Sequence, residues 1–257
     1  MFRPRVIPVL LLKGQGLVKT VQFSNPTYIG DPINAVRIFN DLEADELIFL
    51  DITASNEKRL ASVEVIKKIS DEAFMPFAVG GGIKTIEDVH ALIMAGAEKV
   101  VINSSSVNSS SLITQAADIF GSQSIIVSID VKKTFWGKTQ VFINSGKKST
   151  GLNPVEHAKN MEKAGAGEIF ITSIDLDGTM QGYDIELIKS VSESVGVPVV
   201  AGGGAGTMEH FKEAVIKGHA TAVAAGSMFV YHGPRKGVLI NYPEKKELKK
   251  LFQSSLE

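Results

Sequence analysis

The sharpest chemical feature of the chain is an aspartate that closes an otherwise apolar run, Ser128-Ile129-Asp130. A carboxylate at the end of such a strand is placed for proton transfer as a general acid or base. The competing reading is an ion pair with Lys132 or Lys13. Asp51, Asp175 and Asp177 also fall near strand ends, and Asp177-Gly178-Thr179 reads either as a second polar cluster or as an ordinary Asp-Gly turn. Two glycine triplets, Gly80-Gly81-Gly82 and Gly202-Gly203-Gly204, each end an apolar run and precede a helical segment. Glycine lets backbone N–H groups approach an anion, and a following helix adds the positive end of its dipole. Asn103-Ser104 and Gly226-Ser227 end the neighbouring runs, so each half of the chain offers a donor-rich cup. Two cups predict a ligand with phosphate at both ends, against the alternative of tight turns that bind nothing. A further set, Arg5, Glu46, Lys99 and Glu168, stands at strand beginnings. Pointing inward, these opposite charges form either a stabilising ring at the floor or, if a pore runs through them, a gate.

Other chemistries are excluded or unsupported. The 257 residues include no cysteine, which removes thiol nucleophiles and with them the usual thioester route from glutamine to ammonia. The histidines at 90, 157, 210, 219 and 232 fall mostly on helices or loops away from strand ends, so no metal cluster and no cofactor is expected. A net charge of -1 without long basic runs argues against nucleic acid or a membrane surface as partner, and for a small ligand. Met1-Phe2-Arg3-Pro4-Arg5 leads into an apolar run too short for a membrane span and lacking a small-residue cleavage site, which predicts a cytoplasmic protein.

The elements that position these residues follow from the pattern. Runs rich in β-branched residues recur at Arg5 to Leu12, Leu47 to Ile52, Phe77 to Val79, Val100 to Asn103, Ser124 to Val131, Glu168 to Ile174, Val197 to Ala201 and Ala222 to Ala225. Helical stripes such as Val89, Leu92, Ile93 and Ala97 lie between them. Helix starts are marked by Asp31-Pro32, Asn153-Pro154, Tyr242-Pro243 and the near capping box Thr85-Ile86-Glu87-Asp88. The segment Phe49 to Ser55, the triplet at 80–82 and Val101 to Ser104 recur in order as Phe170 to Asp175, the triplet at 202–204 and Ala224 to Ser227. Eight strand–helix units with this twofold repeat predict one α/β domain over residues 1–257, a (β/α)8 TIM barrel made of two half-barrels, rather than an open doubly wound sheet. Two long connections, Lys13 to Pro32 and Lys132 to Asn153, follow the first strand of each half. The first carries Gly14, Gly16 and Lys19 and reads as a mobile loop; the second alternates Thr139, Val141 and Ile143 around Trp136 and reads as a small hairpin.

Taken together, Asp51 to Ser55, Val79 to Ile83, Phe120-Gly121-Ser122-Gln123, Ser145-Gly146-Lys147-Lys148, Asp177-Gly178-Thr179 and Gly203-Gly204-Ala205-Gly206 resemble the cyclase subunit of imidazole glycerol phosphate synthase over nearly the whole chain. The resemblance implies a barrel that takes ammonia along its axis from a separate glutaminase docked on its floor. It implies a lyase-type reaction of that ammonia with a bis-phosphorylated formimino ribulosyl carboxamide nucleotide, giving imidazole glycerol phosphate and aminoimidazole carboxamide ribotide. By position, Gly82, Asn103 and Ser104 hold one phosphate, Asp177, Gly178, Gly204, Ala225 and Gly226 the other, and Arg5, Glu46, Lys99 and Glu168 form the ammonia gate. The family uses two aspartates as acid and base; Asp130 is one, and the other position is occupied by Leu11. The segment His232 to Pro243 also departs from the family. It resembles paralogues of surface-polysaccharide clusters, in which the pair supplies ammonia for an acetamidino sugar. A third reading is a non-catalytic activator of a glutaminase.

Overall fold

The computed structural model describes residues 3–134, 137–233 and 235–253. Eight parallel strands close on themselves: β1 (Arg5–Lys13), β2 (Leu47–Asp51), β3 (Phe77–Gly80), β4 (Lys99–Ile102), β5 (Ile125–Lys133), β6 (Glu168–Ser173), β7 (Val199–Gly202) and β8 (Ala222–Ala225), with β8 pairing β1 and β5 pairing β6. This is the expected (β/α)8 barrel, and the strand bounds agree with the sequence reading to within two residues.

Side chains alternate across each strand, so register decides what the barrel holds inside. On β1 the odd positions face inward. Arg5 stands at the floor, Ile7 belongs to the inner apolar layer, and Val9 and Leu11 line the cavity above. The even positions Val6, Leu10 and Leu12 pack outward beneath the helices. The same period places Ile126, Ser128 and Asp130 up the inside of β5, and Glu168, Phe170 and Thr172 up β6. The inner layer of Ile7, Ile48, Ala78, Val101, Ile126, Phe170, Val200, Ala222 and Ala224 is almost wholly buried and separates floor from mouth.

The helix starts are mostly as read. Asp31 accepts from the Ile33 and Asn34 amides ahead of Pro32–Asp41, Asn153 does the same for Pro154–Lys163, and Thr85 with Asp88 closes a full capping box on Ile86–Met94. The last helix is a correction. It spans Lys245–Gln253 and begins beyond Tyr242-Pro243, while the Tyr242 phenol donates to the Val6 carbonyl.

The connection that includes Lys19 is also a correction. It is a β-hairpin, Gly16–Val21 with Ser24–Gly30, whose first strand continues the sheet from β1 through Leu11↔Val18. Its β-branched run Val18, Thr20 and Val21 favours a strand, and Leu17 and Val18 are buried. Its turn docks on the loop after β6, with the Gln22 amide donating to the Asp177 carbonyl. In the second half Thr139–Ile143 pairs antiparallel with the end of β5, burying Val141 and Ile143. Trp136 lies outside the described residues, as do Met1, Phe2 and Pro234 of the two segments named above. Each half therefore prolongs its first strand into a hairpin over the mouth.

Candidate active site at the barrel mouth

One cavity of about 500 Å³ opens at the strand C-terminal face, where barrel enzymes carry their chemistry. Asp130 lines it, accepting from Asn103 Nδ2 at 3.1 Å and Ser128 Oγ at 3.5 Å. Neither Lys132 nor Lys13 pairs with it in the structure. Burial pushes its carboxyl up to about 7, with the charge of Asp177 adding to the rise and the Ser128 and Asn103 hydrogen bonds opposing it. Asp177 is pushed up to about 6 by burial, against the pull of Lys19. Burial brings the Lys19 ammonium down to about 8, although Asp177 favours its charge. Lys19 also donates to the Val9 carbonyl at 2.5 Å. Three titratable groups thus have proton affinities drawn toward neutrality, the condition that acid–base chemistry needs. Leu11 lines the same cavity with Val9 and Leu50.

The cup residues divide. Gly82, Asn103 and Ser104 line one part of the cavity, and Gly203, Gly226 and Ser227 line another, with Asp177. Gly178, Gly204 and Ala225 do not line it. A Cβ at Gly178 would stand 2.3 Å from the Thr20 carbonyl, and one at Gly204 would stand 1.9 Å from the Gly182 carbonyl, so both glycines admit close backbone packing behind the cup. The helices that follow the two triplets differ, since Met208–Ile216 after the second has no side-chain cap. The helix after Gly82 has its first amides covered by its own capping box. The short helices Ser104–Asn108 and Ser227–Val230 begin at the cups without side-chain caps, leaving their amides to the cavity end. Lys19 covers the second cup; a Cβ on Gly226 would meet its Nζ at 2.2 Å. Asp51 lines the cavity but is bonded to the Thr53 and Ala54 amides and to Arg59 at 2.6 Å, whereas Asp175 lies off it and accepts from the Lys133 amide.

At the floor the four charges form a closed ring. Arg5 bridges Glu46 and Glu168, and Lys99 bonds the same two carboxylates at 2.9 and 3.2 Å. Both glutamates are buried. Around this floor Phe74, Met94 and Ile119, at or just past the C-terminal ends of successive outer helices, are 89%, 72% and 60% exposed. The sequence reading did not single them out, because nothing in a helix's apolar stripe marks which member lies beyond the core. The cavity-lining Lys84 and Lys147 were likewise not named as ligand residues. Among the described residues no group of His, Asp and Glu is arranged to hold a metal, and no helix is long and apolar enough to cross a membrane.

A closed eight-stranded parallel barrel with a cavity of mixed polar and apolar lining at its mouth and a charged ring at its floor defines the class. The histidine biosynthesis protein family matches residues 5–234, and the chain belongs to it. Its relatives are of the HisF type. It is 49% identical to a Pseudomonas aeruginosa protein provisionally named imidazole glycerol phosphate synthase subunit hisF2, over 96% of this chain and 99% of that one. It is 44% identical to a Leptospira interrogans protein, provisionally named as a HisF subunit of the same synthase, over 98% and 100%. It is 46% identical to the Alkaliphilus metalliredigens imidazole glycerol phosphate synthase subunit HisF, over 90% and 92%.

Proposed function

We propose that the chain is the ammonia-using barrel subunit of a glutaminase–synthase pair, acting on a small substrate that carries phosphate at both ends. The observation that carries this is the single cavity joining both cups, in which Asp130 is bonded to Asn103 of one and feels the charge of Asp177 beside the other. The names of the relatives support the partner and the reaction class. So does the floor: ammonia made by a docked glutaminase must pass the Arg5, Glu46, Lys99 and Glu168 ring and then an apolar layer that admits neutral ammonia more readily than ammonium. Phe74, Met94 and Ile119 give that partner an apolar landing surface.

Asp130, near neutrality, can take and return a proton at the reacting atoms, while the two cups fix the ends of the substrate. Leu11 stands where the family reaction needs its second carboxylate, and an alkyl side chain transfers no proton. Losing one general acid or base lowers rate by about 10²–10⁴-fold, so imidazole glycerol phosphate formation here is slow. Leu11 also favours a second reading, delivery of ammonia to a different acceptor such as a sugar to be amidinated in surface-polysaccharide synthesis.

The test of the two-cup reading is calorimetric. A sugar bisphosphate is expected to bind at least about tenfold more tightly than the monophosphate, a gain of about 1.4 kcal/mol, and to shift the Asn103, Ser104, Gly226 and Ser227 amide resonances together. Equal affinities, or shifts at one cup only, would contradict it.

A further inference from the structure

His157 lies on the outer helix Pro154–Lys163 and is buried. Its Nε2 stands 3.2 Å from Ser106 Oγ, itself buried. The Ser106 hydroxyl hydrogen is committed, because Oγ donates to the Asn103 carbonyl at 2.6 Å. Ser106 Oγ must therefore accept from the ring, which places the imidazole proton on Nε2. Burial lowers the proton affinity of His157, which favours the neutral ring with its one N–H. The Asn103 carbonyl also accepts the Ser106 amide at 3.0 Å. Held from behind in this way, Asn103 directs its Nδ2 to the Ser128 carbonyl at 3.0 Å and to Asp130 Oδ2 at 3.1 Å, and its side-chain oxygen accepts from Ser104 Oγ. One chain of hydrogen bonds thus joins an outer helix to the carboxylate and to the first cup.

We propose that His157 and Ser106 are positioning residues that fix the Asn103 side chain, and through it the ionisation of Asp130 and the geometry of the first cup. Neither touches the substrate, and each acts through Asn103. This rests on the reading of Asp130 as the proton-transfer group, but its test does not need turnover. A neutral carboxamide that donates to a carboxylate stabilises the charged form, so releasing Asn103 raises the pH at which Asp130 titrates.

The experiment follows the Asp130 carboxyl by ¹³C NMR through a pH titration of the folded full chain, in the parent and in Ser106→Ala, His157→Phe and His157→Gln. Ser106→Ala and His157→Phe are expected to raise the Asp130 midpoint by about half a pH unit. His157→Gln restores a donor to Ser106 and is expected to bring the midpoint back, which a purely space-filling role for the ring would not do. Unchanged midpoints in Ser106→Ala and His157→Phe, with cooperative unfolding retained, would overturn the proposal. So would a shift in His157→Phe that His157→Gln fails to reverse. Loss of cooperative folding in His157→Phe leaves the decision to Ser106→Ala, which removes only one oxygen atom. If Asp130→Asn proved to have no effect on turnover, the catalytic reading would fail while this titration result stood.

Discussion

At the scale of single residues, the cavity is tuned by burial more than by charge pairing. Asp130 and Asp177 both hold their protons more tightly than a solvated carboxyl, so the folded protein binds more protons than the unfolded chain between about pH 4 and 7. Each group's contribution is complete below the unfolded value and is lost as pH rises through the folded one. Asp130→Asn is therefore expected to stabilise the protein at pH 8 by about 1–2 kcal/mol and to leave it unchanged near pH 3, where the parent carboxyl is protonated in both states. Chemical denaturation at the two pH values checks this; a variant equally stable to the parent at pH 8 would show that cavity water solvates the charge fully. Asp130 was legible in the sequence because it closes an otherwise apolar run, and Leu11 only through the family resemblance, which implies an aspartate at its position. His157 and Ser106 were not. Their significance lies in a contact between positions 51 apart in sequence, and a histidine within a helix carries no mark of what stands behind it.

At the scale of elements, the closed barrel was legible because eight apolar runs and their caps recur in a fixed order. The glycine triplets were legible as special positions, and members of both line the cavity. The first was read as a cradle backed by its following helix, whereas that helix caps itself and the donors come from the neighbouring strand's short helix. The connection after β1, with Gly14, Gly16 and Lys19, was read as a mobile loop, and its β-branched run forms a hairpin strand. Gly178 is the point at which this hairpin seats on the loop after β6, with φ +72° and the Thr20 carbonyl in the space a side chain would take. Gly178→Ala is expected to cost about 1–3 kcal/mol and to lift the hairpin that carries Lys19. Faster cleavage within Gly16–Gly30 in limited proteolysis, with weaker phosphate binding at the second cup, is the expected result. Unchanged proteolysis and stability would show that the loop after β6 yields instead.

At the scale of the whole molecule, function divides between two faces: titratable groups and donors at the mouth, a charged ring and exposed apolar side chains at the floor. The ring was legible as residues at strand beginnings. The apolar collar was not, because Phe74, Met94 and Ile119 lie at or just past the ends of ordinary amphipathic helices and only the closed barrel shows them bare. Phe74→Asp with Met94→Glu is expected to weaken a one-to-one complex with a cysteine-dependent glutaminase by at least about tenfold, while sugar bisphosphate binding at the mouth stays as it was. Sedimentation and calorimetry check the two halves of that statement. The isolated chain, lacking cysteine, is expected to hydrolyse no glutamine.

Leu11 stands where a HisF-type barrel would need a second proton-transferring carboxylate, beside a cavity that joins both cups and holds Asp130. The most direct measurement is steady-state turnover of the bis-phosphorylated formimino ribulosyl carboxamide nucleotide with external ammonium, for the parent and for Leu11→Asp. Parent turnover is expected at least about 100-fold below an ordinary enzyme's ~10 per second, lost further in Asp130→Asn. Where this nucleotide is the substrate, Leu11→Asp raises the rate. Where another acceptor takes the ammonia, Leu11→Asp gives little, since about 7–11 kcal/mol of positioning is absent as well. Parent turnover near 10 per second would contradict the account.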